Sequence, residues 1–249
     1  MNALRAAWRL WRVLLHVLGG LVTVLWHFPR LDTAQKEQRV SAWAHALLGH
    51  FAIELRVHGS PPQRGPVLLV ANHISWLDIV VLHAARHCRF VSKAELRRWP
   101  LIGTLASAAG TLYIERASRR DALRVVHHMA ERLQAGEVLA VFPEGTTSDG
   151  RALLPFHANL FQAAIASDAP VLPVGLRFAD AASGKHSHAP CYIDDDTLIG
   201  SIWRTLTAPP LCAEVRFGEP QQAQGRDRRA WAADLQQDVA SLRGPTRGD

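Results

Sequence analysis

Apolar runs of strand length alternate with helical patterns through most of the chain. PVLLVA (66–71), CRFVSK (88–93), TLYIER (111–116), EVLAVFP (137–143), VLPVGLRFA (171–179) and LCAEVRF (211–217) read as strands. Residues 76–87, 95–109, 119–135, 158–168 and 227–243 read as helices. This alternation predicts an α/β domain: a mostly parallel central sheet flanked by helices. Pro173, inside VLPVGL, points to an edge or irregular strand position. The polar stretch 181–190 reads as a surface loop.

The first 57 residues have a different texture. Ala3–Phe28 is apolar, with Arg5, Arg9 and Arg12 and no acidic residue before Asp32. At 100° per residue Arg5, Arg9, Arg12, His16, Gly20, Thr23 and His27 fall on one stripe, and Leu, Val and Trp cover the rest. A signal peptide lacks its small-x-small cleavage site here. A spanning helix stays open, although Val13–Trp26 is short against the roughly 20 apolar residues a span needs. The preferred reading is a helix lying in one leaflet with its arginines on anionic head groups. Val40, Trp43, Leu47, Phe51 and Leu55 continue at helical spacing and predict a second helix. The Gly/Pro-rich GSPPQRGP (59–66) marks a break. We accordingly divide the chain into an N-terminal membrane-docking helical motif (1–57) and a main domain (58–249).

Composition narrows the partners. The 249 residues are 48% apolar, an ordinary globular fraction, and carry a net charge of +6 with a pI near 9.9, which favours an anionic partner. The arginines concentrate in the first helix without a basic-aromatic module, so nucleic acid is not expected and an anionic membrane surface is. Cys88, Cys191 and Cys212 are widely spaced and form no CxxC pair, which gives neither a disulfide framework nor a thiolate zinc site and favours a reducing compartment.

Candidate chemistry gathers where strands end. NHISWLDI (72–79) follows PVLLVA and admits two readings. Ser75 and Asp78 fit a variant capping box that opens a helix, with Asn72 and His73 as turn residues. Alternatively His73, on the entering turn, meets Asp78 in the first helical turns, and the carboxylate leaves one ring nitrogen free as a base. VFPEGTTSDG (141–150) places Glu144 after an apolar strand, with Gly145 and two threonines in a tight turn. Arg116 closes TLYIER. His73, Asp78 and Glu144 are too few and too irregularly spaced to predict a metal site.

Taken together, NHxxxxD (72–78), GxxYIxR (110–116), FPEGT (142–146) and VxPVG (171–175) resemble, in order and separation, the glycerolipid acyltransferase family, whose best-known members acylate lysophosphatidic acid. The resemblance covers about residues 66–178, and the N-terminal helix pair looks like the docking motif of bacterial members. It implies His73 as general base and Asp78 as its orienting partner. It implies Arg116 on an acceptor phosphate and Glu144, Gly145 and Thr146 shaping the acceptor site; Asn72, Lys93 and Thr147 join these as expected substrate-binding residues, Lys93 as a substitute phosphate contact. The implied reaction moves an acyl group from acyl-CoA or acyl carrier protein to the hydroxyl of a lysolipid at the cytoplasmic face of a bacterial inner membrane, with no cofactor and no metal. Ser75 and Ser148 are expected to cap or hydrogen-bond rather than carry an acyl group.

The chain departs from the family pattern at Thr147, where many lysophosphatidic acid enzymes have arginine, and at FHAN (156–159) in place of FKxG. The first expectation for the acceptor is 1-acyl-glycerol-3-phosphate. The alternative is a lyso-aminolipid such as lyso-ornithine lipid, whose enzymes resemble the FPEGTTS form more closely. A non-catalytic membrane-binding protein on the same scaffold is the third reading.

Overall fold

The computed structural model describes residues 3–114 and 119–244, with side chains over the same ranges except 119–122. The strands are β1 (Ile53–His58), β2 (Val67–Ala71), β3 (Arg89–Lys93), β4 (Leu112–Ile114), β5 (Val138–Val141), β6 (Val171–Asp180) and β7 (Leu211–Phe217). They form one sheet in the order β1-β7-β6-β2-β5-β3-β4. All neighbours are parallel except β6 and β7. The helices are α1 (Ala3–Trp26), α2 (Thr33–His50), α3 (Leu77–Ala85), α4 (Ile102–Ala108), α5 (Arg119–Gln134), α6 (Phe161–Ser167), α7 (Leu198–Thr207) and α8 (Arg228–Arg243).

Strand β2 shows why the sheet is central. All five of its residues are buried, and they alternate between two cores. Val67, Leu69 and Ala71 face the cluster built with α2, α3 and α7; Leu68 and Val70 face the one built with α5, α6 and α8. The period of two thus feeds both faces of a parallel sheet, which is why the strand sequence is apolar throughout. Trp231 of α8, fully buried, is the largest side chain of the second core.

Three expectations change. The second helix ends at His50, so Phe51 and Leu55 are not helical; Ile53–His58 instead pairs in parallel with β7. The sheet therefore extends across the 57/58 division. Ala52 marks the change of direction, with φ at +57°. Pro173 lies in β6, between β7 and β2, and not at an edge. Its carbonyl accepts the Gly218 N–H on the β7 side, just past the last β7 residue, so its missing N–H falls where that ladder has ended. Helix α7, unpredicted, fills the face beside α1.

Helix α1 also reverses its expected orientation. Arg9 donates to the Leu206 carbonyl at 3.0 Å, and His16 Nε2 lies 2.9 Å from the Trp43 carbonyl with its ring stacked on that indole. Gly20 sits so close to Trp43 that a Cβ would meet the indole nitrogen at 2.5 Å. The middle of the polar stripe, Arg9, His16 and Gly20, thus faces the protein. Trp8, Trp11, Leu14, Leu15, Leu18, Val22, Leu25 and Trp26 are exposed. Of the three arginines, Arg5 and Arg12 are exposed and Arg9 is half-buried.

Candidate active site

Strands β2 to β6 run the same way, so the segments after β2 and β5 emerge at one edge, where parallel sheets place their sites. After Ala71 the chain turns before α3, and Asp78 organises that turn. Its Oδ2 accepts the Ile74 and Ser75 amides at 2.6 and 2.9 Å and lies 2.8 Å from His73 Nδ1. The Ser75 hydroxyl accepts from the Leu77 amide at 3.2 Å. The capping contacts and the His73–Asp78 contact coexist in NHISWLDI, because one carboxylate oxygen serves the helix entrance and the imidazole together. Asp78 is fully buried, and its Oδ1 has no hydrogen-bond partner among the described residues.

The His73 side chain is 18% exposed. Phe142 stacks on its ring, with centroids 4.0 Å apart and planes 7° from parallel. With Nδ1 held by Asp78, Nε2 has no partner among the described residues and is the ring's free basic position. Glu144 fixes the main chain here: Oε1 accepts the His73 amide at 2.7 Å and Oε2 accepts the Leu154 amide at 2.8 Å. Burial holds its carboxyl above the usual carboxylate range, against the pull of those two amides. Both oxygens are engaged with backbone, so Glu144 shapes the site as a brace. Gly145 follows with φ at +74°, a left-handed turn that an L side chain strains.

The remaining predicted residues distribute differently. Asn72, expected at the substrate, is buried and spends both ends of its amide on Leu176: Nδ2 donates to the carbonyl at 3.0 Å and Oδ1 accepts the amide at 2.7 Å. It ties β2 to β6. Lys93 is exposed at the end of β3, beside Ile114 of β4. Arg116 lies outside the described residues. Thr146 is exposed; Thr147 donates its hydroxyl to the Tyr192 carbonyl. Ser148 N–H donates to the His73 carbonyl at 2.9 Å, and His157 is exposed with its amide on the Pro143 carbonyl.

The segment 186–196, expected only as part of a surface loop as far as residue 190, also borders the site. Tyr192 donates its amide to the Ile74 carbonyl and accepts from Thr147, so this loop rests on both halves of the site. Arg204 of α7 clamps it through Asp196, at 2.7 and 2.9 Å, and through the Cys191 carbonyl.

Beneath the site lies an apolar cavity of about 480 Å³ between the N-terminal helices and α3, α4 and β3. Trp76, Ile79, Val80, His83 and Phe90 line its inner wall. Phe90 stacks on Phe142, which stacks on His73, so a single aromatic ring separates the imidazole from the lining. His83 is buried with Nδ1 unpartnered, and desolvation together with neighbouring His87 pushes it down to about 3, which keeps it neutral.

The sequence model of the family described as Acyltransferase matches residues 54–177. A lyso-ornithine lipid O-acyltransferase of Pseudomonas aeruginosa is 38% identical over 245 residues, 96% of this chain and 93% of the relative. The chain belongs to the acyltransferase family. A 1-acyl-sn-glycerol-3-phosphate acyltransferase of Neisseria gonorrhoeae is 37% identical over 210 residues, covering 83% of this chain and 81% of the relative. Among solved structures, the 1-acyl-sn-glycerophosphate (LPA) acyltransferase PlsC from Thermotoga maritima shares the fold. Its TM-score is 0.65 at 22% identity, with 95% of this chain and 98% of that one covered. This acyltransferase therefore joins an α/β fold common to the family with a buried carboxylate–imidazole pair at the edge of its sheet.

Proposed function

We propose that this acyltransferase moves a fatty acyl group from an acyl thioester, carried by coenzyme A or acyl carrier protein, to the free hydroxyl of a lysolipid. The observation that carries the reading is the His73–Asp78 pair with Nε2 unoccupied. A thioester is already activated, so the protein has to place the acceptor hydroxyl, take its proton as attack begins and stabilise the developing oxyanion. Nε2 takes the proton; Asp78 holds the ring and stabilises the imidazolium. The amides of Thr146 and Thr147, which have no acceptor among the described residues, are the candidate oxyanion donors. The acceptor itself is the nucleophile. Ser75 is buried and bonded to Leu77, which leaves it unsuited to form an acyl-enzyme. The thiol leaves with the proton that His73 returns. The 480 Å³ cavity, one ring away from His73 and almost wholly apolar, suits an acyl chain.

The place we propose is the cytoplasmic face of a bacterial inner membrane. The row of exposed Trp, Leu and Val on α1 is too large an apolar face to leave in water, and a helix with such a face lies in the interface.

For the acceptor, the sequence ranks 1-acyl-glycerol-3-phosphate first. Position 147 favours the second reading, lyso-ornithine lipid. It carries no cation, and its hydroxyl is committed to Tyr192. The relative that spans nearly the whole chain bears that activity in its name. A panel of lyso-ornithine lipid and 1-acyl-glycerol-3-phosphate, with one acyl thioester and thiol release as the readout, decides between them. Turnover on neither sinks the proposed reaction.

A further inference from the structure

The loop between β6 and α7 holds a cluster that acyl transfer does not use. His186, His188 and Cys191 each bring one donor atom to within 4.8 Å of the other two. We propose that this H-x-H-x-x-C segment is a zinc-binding site that stiffens the loop where it rests beside the segment after FPEGT.

Two features separate the cluster from a chance group of polar residues. His186 Nε2 lies 2.9 Å from the Asp149 carbonyl, while its other nitrogen, Nδ1, is buried without a partner among the described residues. A ring that gives one N–H to a backbone carbonyl and keeps its second nitrogen as a lone pair is the usual state of a metal-ligating histidine. Without an ion, that nitrogen remains a buried acceptor with nothing to accept. The loop is also held from outside the cluster. His186 bridges Ala179, and Arg204 secures the Cys191 carbonyl and Asp196. Gly150, at φ +75°, lets the FPEGT turn pass so near that a Cβ there would stand 3.1 Å from the His186 ring.

Two imidazoles and a thiolate are borderline-soft donors that suit zinc and disfavour magnesium or calcium. With Zn–N near 2.0–2.1 Å and Zn–S near 2.3 Å, tetrahedral ligand atoms stand roughly 3.5 Å apart, so the cluster closes by about 1 Å on binding. His188 is exposed and supplies most of that movement, giving up the 3.2 Å contact of its Nε2 with the Arg151 guanidinium. Cys191 is buried and its thiol donates to the Asp149 carbonyl at 3.5 Å, so the ion displaces that proton on binding. Arg151, Arg177 and Arg204 oppose the added positive charge, and Asp149 offsets part of it. A water completes the fourth position. No step of acyl transfer runs through this site, so failure to bind zinc leaves His73 untouched.

The test uses the untagged full chain, titrated with Zn²⁺ against a chromophoric chelator, and with Co²⁺ as a spectroscopic stand-in. We expect one tight equivalent of zinc, a higher thermal midpoint with zinc than with chelator, and a thiolate-to-cobalt charge-transfer band. Cys191→Ser should abolish the band. His188→Ala should weaken zinc binding by more than the roughly 10–100-fold that loss of an outer partner costs. The proposal is overturned by no retained equivalent, by a band that survives in Cys191→Ser, or by undiminished affinity in His188→Ala. Because His188 is exposed and outside both cores, that variant decides the matter even if Cys191→Ser does not fold.

Discussion

Asp78→Asn separates the two duties that one carboxylate oxygen performs. In the wild type, Oδ2 accepts from Ile74, Ser75 and His73, whereas Oδ1 is buried with no partner. An asparagine placed with its oxygen at Oδ2 keeps all three acceptor contacts, and its NH₂ takes the position that already lacks a partner. The entrance to α3 should survive, with a small change in stability. What disappears is the charge beside the imidazolium. Two unit charges about 4 Å apart interact by about 4 kcal/mol at an effective dielectric constant near 20. Lost from the transition state alone, that is about a 10³-fold fall in kcat. Asp78→Ala differs, because it strands two backbone amides and the imidazole N–H, at about 1–3 kcal/mol for each buried group. The assay pairs thiol release under saturating lysolipid with thermal unfolding of the same preparations. The reasoning fails if Asn turns over within a few fold of wild type, or if Asn loses as much stability as Ala.

Glu144→Gln keeps one acceptor and turns an NH₂ toward the other backbone amide, at His73 or Leu154. The mutation should cost about 1–3 kcal/mol in chemical denaturation at pH 5 and lower turnover with it. Because burial raises the folded-state carboxyl above its unfolded value, wild type loses this group's contribution as pH rises through the raised value, and the gap to Gln should narrow; a gap that widens contradicts the assignment. Replacing Trp8, Trp11 and Trp26 together by Ser should sharply reduce binding to lipid vesicles in flotation while the fold persists, and unchanged flotation removes α1 as the docking face. Thr147→Arg should raise the ratio of catalytic efficiency for 1-acyl-glycerol-3-phosphate over lyso-ornithine lipid by placing a cation where the hydroxyl now meets Tyr192; a constant ratio excludes position 147 from acceptor choice.

The parallel core was legible because both of its faces are apolar and its strands are short runs between turns. β1 was not, because IELRVH follows α2 directly and Phe51 and Leu55 continue the helical spacing by coincidence. α7 is a ten-residue helix containing a glycine and four β-branched residues, which blurs the helical signal. For α1 the spacing correctly gave two faces, but amphipathicity does not say which face meets the protein. Here the usual assignment inverts: the apolar face is exposed, and Arg9, His16 and Gly20 turn inward. His73 and Asp78 were readable because they lie five residues apart across one turn. The Thr147–Tyr192 contact joins residues 45 apart, and the Glu144 brace on His73 spans 71, so no local pattern announces either.

The account rests most heavily on His73 as the base. The direct measurement is acceptor-dependent thiol release by His73→Ala, beside wild type, in preparations shown by thermal unfolding and vesicle binding to be folded and docked. Removal of a general base predicts a rate lower by roughly 10² to 10⁴ with docking unchanged. A folded, docked His73→Ala protein that releases thiol at close to the wild-type rate contradicts the mechanism.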